Sequence, residues 1–265
     1  MFLPGGQEGI KFYLMPSLDN LFNEGVWNVV VAAMNQAFFT LSLGIGCMAI
    51  FGSYIDKKRT LLGESVNIAV LDTFVALASG FIIFPACYAY DVDVTSGMGL
   101  IFLTLPNIFN NIPLGQFWGS LFFIFMSFAA LSTIFAVFEN VVSCTMDLFK
   151  WSRKKASLLN GVFLAFACMP CVLGWNVWSG FQPLGEGTNV MVLEDFFVSN
   201  LALPLGSLIF ILFCVTRYGW GWDKFVAEAN EGEGLKVQKW MRPYVTYVLP
   251  VIVGTIFVIG ILSYL

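Results

Sequence analysis

The side chains able to do chemistry in this chain sit inside its most apolar stretches. The first cluster is Asn35-Gln36-Ala37-Phe38-Phe39-Thr40-Leu41-Ser42-Leu43-Gly44-Ile45-Gly46, where four polar side chains and two glycines interrupt a hydrophobic run. Glycines one residue apart weaken a helix just where Thr40 and Ser42 can lend oxygens. Broken helices at membrane depth survive where they line a protein-buried or watery cavity, and transporters hold ions and substrate there. The plainer alternative is a kinked helix whose Thr and Ser bond back to their own carbonyls.

Asp72 lies in Ala69-Val70-Leu71-Asp72-Thr73-Phe74, well inside a second apolar run. A carboxylate at that depth costs roughly 2.5 to 3.5 kcal/mol on insertion scales, so a partner is expected. No Lys or Arg lies in any apolar run to pair with it. A cation best uses a charged Asp, with a proton or nearby hydroxyls such as Thr40 as the other candidates. A third run holds Ser127-Phe128-Ala129-Ala130-Leu131-Ser132-Thr133. Adjacent hydroxyls with a carbonyl a turn earlier make an all-oxygen set for a hard monovalent cation, while the small residues equally suit close helix packing. Glu139 follows two turns later, placed either to pair with the basic loop beyond it or to cap a helix end.

Other chemistries are poorly served. The chain contains no His, which removes imidazole-based hydrolysis and His-ligated zinc or haem. Cys168-Met-Pro-Cys171 has redox spacing but no charged activator, and reads as two buried thiols beside a helix-breaking Pro170. Asp72 and Glu139 lie on different runs with nothing to set their geometry, so an enzyme is not expected. A net charge of -4 without a basic stripe offers nucleic acid nothing to hold.

The elements that must position these residues are membrane helices. Charged residues make up 11% of the chain and hydrophobic ones 58%, against about 25% charged in a soluble domain. About 20 apolar residues cross the hydrocarbon as a helix, and about six such spans are expected, over 27–54, 65–90, 116–148, 156–175, 196–215 and 244–265. Residues 1–26 read as an extracellular loop segment. The region 91–115 reads as an outer loop whose apolar part, Gly97 to Ile112, is a short surface or re-entrant helical hairpin broken at Pro106. Twelve of the thirteen Lys and Arg fall in alternate loops, following the first, third and fifth spans. Cytoplasmic loops collect such charge, so these loops face inside and both termini of the segment face outside. An outside N-terminus without a signal peptide makes the chain read as the back part of a longer protein.

Taken together, Gln36 and Phe38 to Gly46, Leu103-Thr104-Leu105-Pro106, and Ala129-Ala130-Leu131-Ser132-Thr133 resemble the neurotransmitter:sodium symporter family, whose prototype is the bacterial leucine transporter. That family is known for inverted repeats and broken helices. The resemblance runs over nearly the whole chain and implies an all-α polytopic fold: the second inverted repeat plus one further helix, with the first repeat missing. It implies that Phe39 lids the substrate and Thr40 binds the first sodium. Ser42 and the unwound backbone from Leu41 to Gly44 would cradle the substrate, with Ile45 and Val137 shaping its side-chain pocket. Ala129, Ser132 and Thr133 resemble the second sodium site. Gln36 belongs to the outer gate, and either Glu194 or Asp195 supplies its acidic half.

Asp72 falls where many relatives carry an Asn that ligates the first sodium, and Ala76 falls where a chloride-binding Ser or a substitute Glu often sits. A fixed carboxylate at Asp72 can supply the charge that chloride supplies elsewhere, so chloride independence is expected. The expected function is the C-terminal half of a sodium-coupled symporter for a small amino acid or amine in the plasma (inner) membrane, inactive without the first five helices. The rival expectation is a non-transporting membrane fragment or helix-packing partner subunit.

Overall fold

The structure, a computed structural model, describes residues 5–15, 17, 21–23, 25–89, 101, 105–185 and 187–262. Among these residues all regular structure is helical, apart from one bridge between Arg59 and Glu233. Asp91, Asp93, Leu103, Thr104 and Glu186 lie outside the described residues, as do residues 97–100 and 102–104 of the expected outer hairpin.

The chain forms two compact units, residues 1–25 with 68–134 and residues 26–67 with 135–265. Two long helices, α4 (Leu61–Ala89) and α6 (Gly115–Phe149), contribute to both.

In the first unit the segment expected as a loop holds a helix, α1 (Gly6–Leu14). It is held by two adjacent aromatic residues, Phe12 and Tyr13, that pack on α4. Tyr13 stacks on Phe84 with ring centroids 4.8 Å apart, and Phe12 lies 5.5 Å from Tyr88. Gly9 and Gly80 leave room for the close approach, since a side chain on either would strike Phe84 or Tyr13. The helix α5 (Leu105–Asn111) buries Leu105 and Ile108 against Cys87 of α4, with Phe109 and Phe122 around them.

The second unit opens with the first expected span, present as two helices: α2 (Val26–Thr40) and α3 (Cys47–Tyr54). The fourth span is α7 (Arg153–Ala167) followed directly by α8 (Met169–Gly174), interrupted at Cys168 before Pro170. The fifth is α9 (Val190–Phe196), a π-helical turn (Phe197–Ala202) and α10 (Leu203–Val215). After α11 (Trp222–Ala229), a short turn Met241–Pro243 and a second π-helical turn (Tyr244–Val248) lead into α12 (Leu249–Leu262). The core of this unit joins α2, α10 and α12 through Val31, Phe38, Leu203, Val253 and Ile256.

Among the described residues five continuous helical stretches are long and apolar enough to cross a membrane, while the first expected span, 27–54, is present as the two shorter helices α2 and α3. The apolar window of α6 buries none of its residues within the chain. Faces of that kind are stable only against lipid or other helices.

Candidate functional site around the helix break

Between α2 and α3 the backbone leaves the helix by a defined cap. The Leu43 N–H donates to the Phe38 carbonyl at 2.9 Å and the Ser42 N–H to the Phe39 carbonyl at 3.1 Å, with Ser42 left-handed at φ 51°. This paired closure usually ends on glycine; a serine there keeps a hydroxyl where glycine would have none. Among the described residues no donor reaches the carbonyls of Thr40, Leu41, Ser42 or Leu43. Gly46, at φ 93°, starts α3, its carbonyl accepting from the N–H groups of Ala49 and Ile50. The break is therefore a set of free oxygens bounded by two helix ends, which suits a cation and a polar substrate.

Glycine is required at the centre. Gly44 has φ 83°, and a side chain on it would strike the Leu203 carbonyl and Ser207 of α10. A cavity of about 460 Å³ lies beside this contact, lined by Phe38, Ser42, Gly44, Ser207 and Phe210. The Ser207 hydroxyl is buried there with no hydrogen-bond partner among the described residues.

A more polar cleft of about 360 Å³ is lined by Gln36 and Phe39 of α2, Asp195 of α9, and Ser199 and Asn200 of the π turn. Asp195 accepts from the Ser199 hydroxyl at 3.0 Å. Glu194 does not line this cleft and lies beside Cys171 of α8. The lid and gate residues expected from sequence thus share one cleft through Asp195.

Other expected residues line neither of these cavities. Thr40 and Ile45 are exposed at the break, and Thr40, Leu41, Ile45 and Val137 line neither cavity. Asp72 and the Ala129, Ser132 and Thr133 set belong to the first unit. There the Ser132 hydroxyl donates to the Ala129 carbonyl at 2.7 Å and that of Thr133 at 3.4 Å, so three oxygens converge on one face of α6. No hydrogen bond or ion pair from the described residues reaches the Asp72 carboxylate.

Two supports escaped the sequence reading. Asn140, 8% exposed, donates from Nδ2 to the Ile45 carbonyl at 2.9 Å and so ties the break to α6. Its signal was a carboxamide inside an apolar run, overshadowed by the neighbouring Glu139. Glu139 itself pairs with the basic loop: Arg153 donates at 2.7 Å and the Tyr54 hydroxyl at 2.9 Å. Below α3, the loop around Lys58 and Arg59 meets the loop after α11. Glu233 N–H donates to the Lys58 carbonyl at 2.9 Å, and Lys57 pairs with Glu231 at 2.9 Å. The hydrogen bond to Glu231, with Glu228 nearby, holds the Lys57 ammonium above the usual lysine range.

The family model for the sodium:neurotransmitter symporter family matches residues 1–265. The chain belongs to that family. A sodium-dependent transporter of Haemophilus influenzae is 29% identical over 97% of this chain and 54% of its own length. The human sodium- and chloride-dependent taurine transporter is 28% identical over 99% of this chain and 42% of its own. Among solved structures, MhsT in complex with L-phenylalanine matches with a TM-score of 0.83 and 36% identity, over 96% of this chain and 56% of that one. This member of the symporter family is a multi-pass membrane protein, and its family is one of transporters rather than enzymes. It spans about half the length of the curated relatives it matches.

Proposed function

We propose that this chain is the second-repeat half of a sodium-coupled symporter for a small amino acid or amine, working by alternating access once joined to a first-repeat half. The observation that carries this reading is the break at residues 40–46, where free carbonyls, the Ser42 hydroxyl and Gly44 meet at membrane depth. Thr40 serves as a sodium ligand in the second unit and Asp72 as one in the first, and the Ala129 carbonyl with the Ser132 and Thr133 hydroxyls binds a sodium of its own. Leu41, Ser42 and Gly44 hold the polar end of the substrate, Ile45 and Val137 shape the pocket for its side chain, and Phe39 closes over it. Gln36 and Asp195 form the outer gate; Glu194 takes no part, because it does not line the shared cleft and lies beside Cys171. Ion and substrate stabilise the same occluded state, so each raises the affinity for the other and the sodium gradient drives uptake.

A missing partner is supported by the bare face of α6, which is stable only against lipid or other helices. The amino-acid class is supported by the phenylalanine held by MhsT. The basic loops after α3, α6 and α10 face the cytoplasm of a plasma (inner) membrane, with both ends of this segment outside. Asp72 replaces chloride as the fixed negative charge, so uptake is the same in chloride and in gluconate.

The test places a cysteine at Ser42 in the chain joined to its first-repeat half. Sodium, and not potassium, is expected to slow its labelling, alongside sodium-dependent uptake of radiolabelled amino acids. Equal labelling in both salts, with no uptake, leaves a helix-packing membrane subunit as the better account.

A further inference from the structure

The cleft between α2 and the π turn contains a contact that the gate residues alone do not explain. Asn35 donates from Nδ2 to Asn200 Oδ1 at 2.8 Å, across 165 positions of sequence, in a partly buried setting. Asn35 directly precedes Gln36, and Asn200 lies five residues after Asp195. In an α-helix a residue five positions on points about 140° away. A π turn, whose bonds run from i to i+5, brings that residue back over the first. Asp195 lies two residues before the turn Phe197–Ala202 that carries Asn200, and the two line the same cleft. Gly260 of α12 makes room for it, because a side chain there would come within 3.2 Å of Asn200 Oδ1.

We propose that the Asn35–Asn200 pair is the positioning contact of the outer gate: it pins α2 to the π turn so that Gln36 and Phe39 face Asp195. The proposal rests on reading those three residues as gate and lid. Neither carboxamide touches substrate; each acts through the element that carries a gate residue. A pinned α2 keeps the closed arrangement populated, and an unpinned one lets bound substrate escape, which weakens apparent affinity without changing the later steps.

The experiment uses the chain joined to its first-repeat half, in liposomes, with sodium-driven uptake of radiolabelled L-phenylalanine or of whichever amino acid the wild type accumulates. Asn35→Ala and Asn200→Ala are each expected to raise KM about fivefold with kcat kept, and the double variant to raise it no further. Gly260→Ala, which crowds Asn200 while removing neither carboxamide of the pair, is expected to raise KM in the same direction. Amide hydrogen exchange in α2 and in residues 197–202 should quicken in all these variants, with α4 unchanged. Unchanged KM with faster exchange makes the pair mere packing and overturns the proposal. So does a double variant whose effect is the product of the singles, or a fall in kcat with faster exchange throughout the chain. A wild type without sodium-dependent uptake defeats the transport reading itself, and the gate role with it; the exchange measurement then still reports whether the pair holds α2 to the π turn.

Discussion

At residues 41–46 the chain leaves the helix, and carbonyls remain that no donor from the described residues reaches, whereas at Phe197–Ala202 it widens the helix by one residue and stays helical. Both interruptions lie in the second unit. The first yields free oxygens, at the cost of unsatisfied backbone that only a ligand, water or a polar neighbour can relieve. The second keeps its backbone bonds internal and changes only which side chains share a face. One device binds, the other aims.

Glycine tests that contrast most strongly. Gly44→Ala combines a left-handed backbone with a collision against the backbone of α10, and should destabilise the protein by about 3 kcal/mol or more. Gly52→Ala, in α3 with nothing within 4 Å, should instead stabilise it by up to about 1 kcal/mol through helix propensity. Thermal unfolding in detergent checks the pair, and equal shifts would mean that Gly44 is not held against α10.

Asn140→Ala should cost about 1 to 3 kcal/mol, because it strips the Ile45 carbonyl of its donor. The local reading is maleimide labelling of Cys47, which is 2% exposed at the start of α3 and should become reactive. Continued protection of Cys47 would show that the break holds its shape without Asn140. Glu139→Gln should cost about 1 kcal/mol or less, since Arg153 is largely exposed and surface pairs are weak. Its thermal shift in detergent should therefore stay below that of Asn140→Ala, and a larger one would move the main anchor of α3 to its far end.

The smallest effect belongs to Lys57. Its pKa is raised in the folded state, so its contribution is full below the ordinary lysine value of 10.5 and fades as pH rises through the higher folded value. Lys57→Met should remove this alkaline loss from the unfolding profile while leaving the profile near neutral pH almost unchanged. An alkaline loss that persists in the variant would assign it to another group.

The spans were legible because an apolar run long enough to cross hydrocarbon has few other stable fates. The break was legible because Gly44 and Gly46 stand beside Thr40 and Ser42, a composition that cannot sustain a regular helix. The helix α1 was not, since residues 6–14 mix polar and apolar types and fold through aromatic packing on a distant helix. The choice between Glu194 and Asp195 was also closed to sequence, because adjacent residues on a helix point about 100° apart and only the neighbours say which way is inward.

The sequence by itself determined that this protein lives in a membrane, where one apolar run breaks, and which family it resembles. Those are local or compositional matters, decided by the cost of exposing backbone and charge to hydrocarbon. Only the tertiary structure decided that Asn140 holds the break, that Asn35 meets Asn200, and that Asp195 rather than Glu194 shares a cleft with Gln36. Each joins residues from separate helices or turns on the direction of a single side chain, and such pairings follow from helix packing and from a π turn that periodicity alone does not reveal.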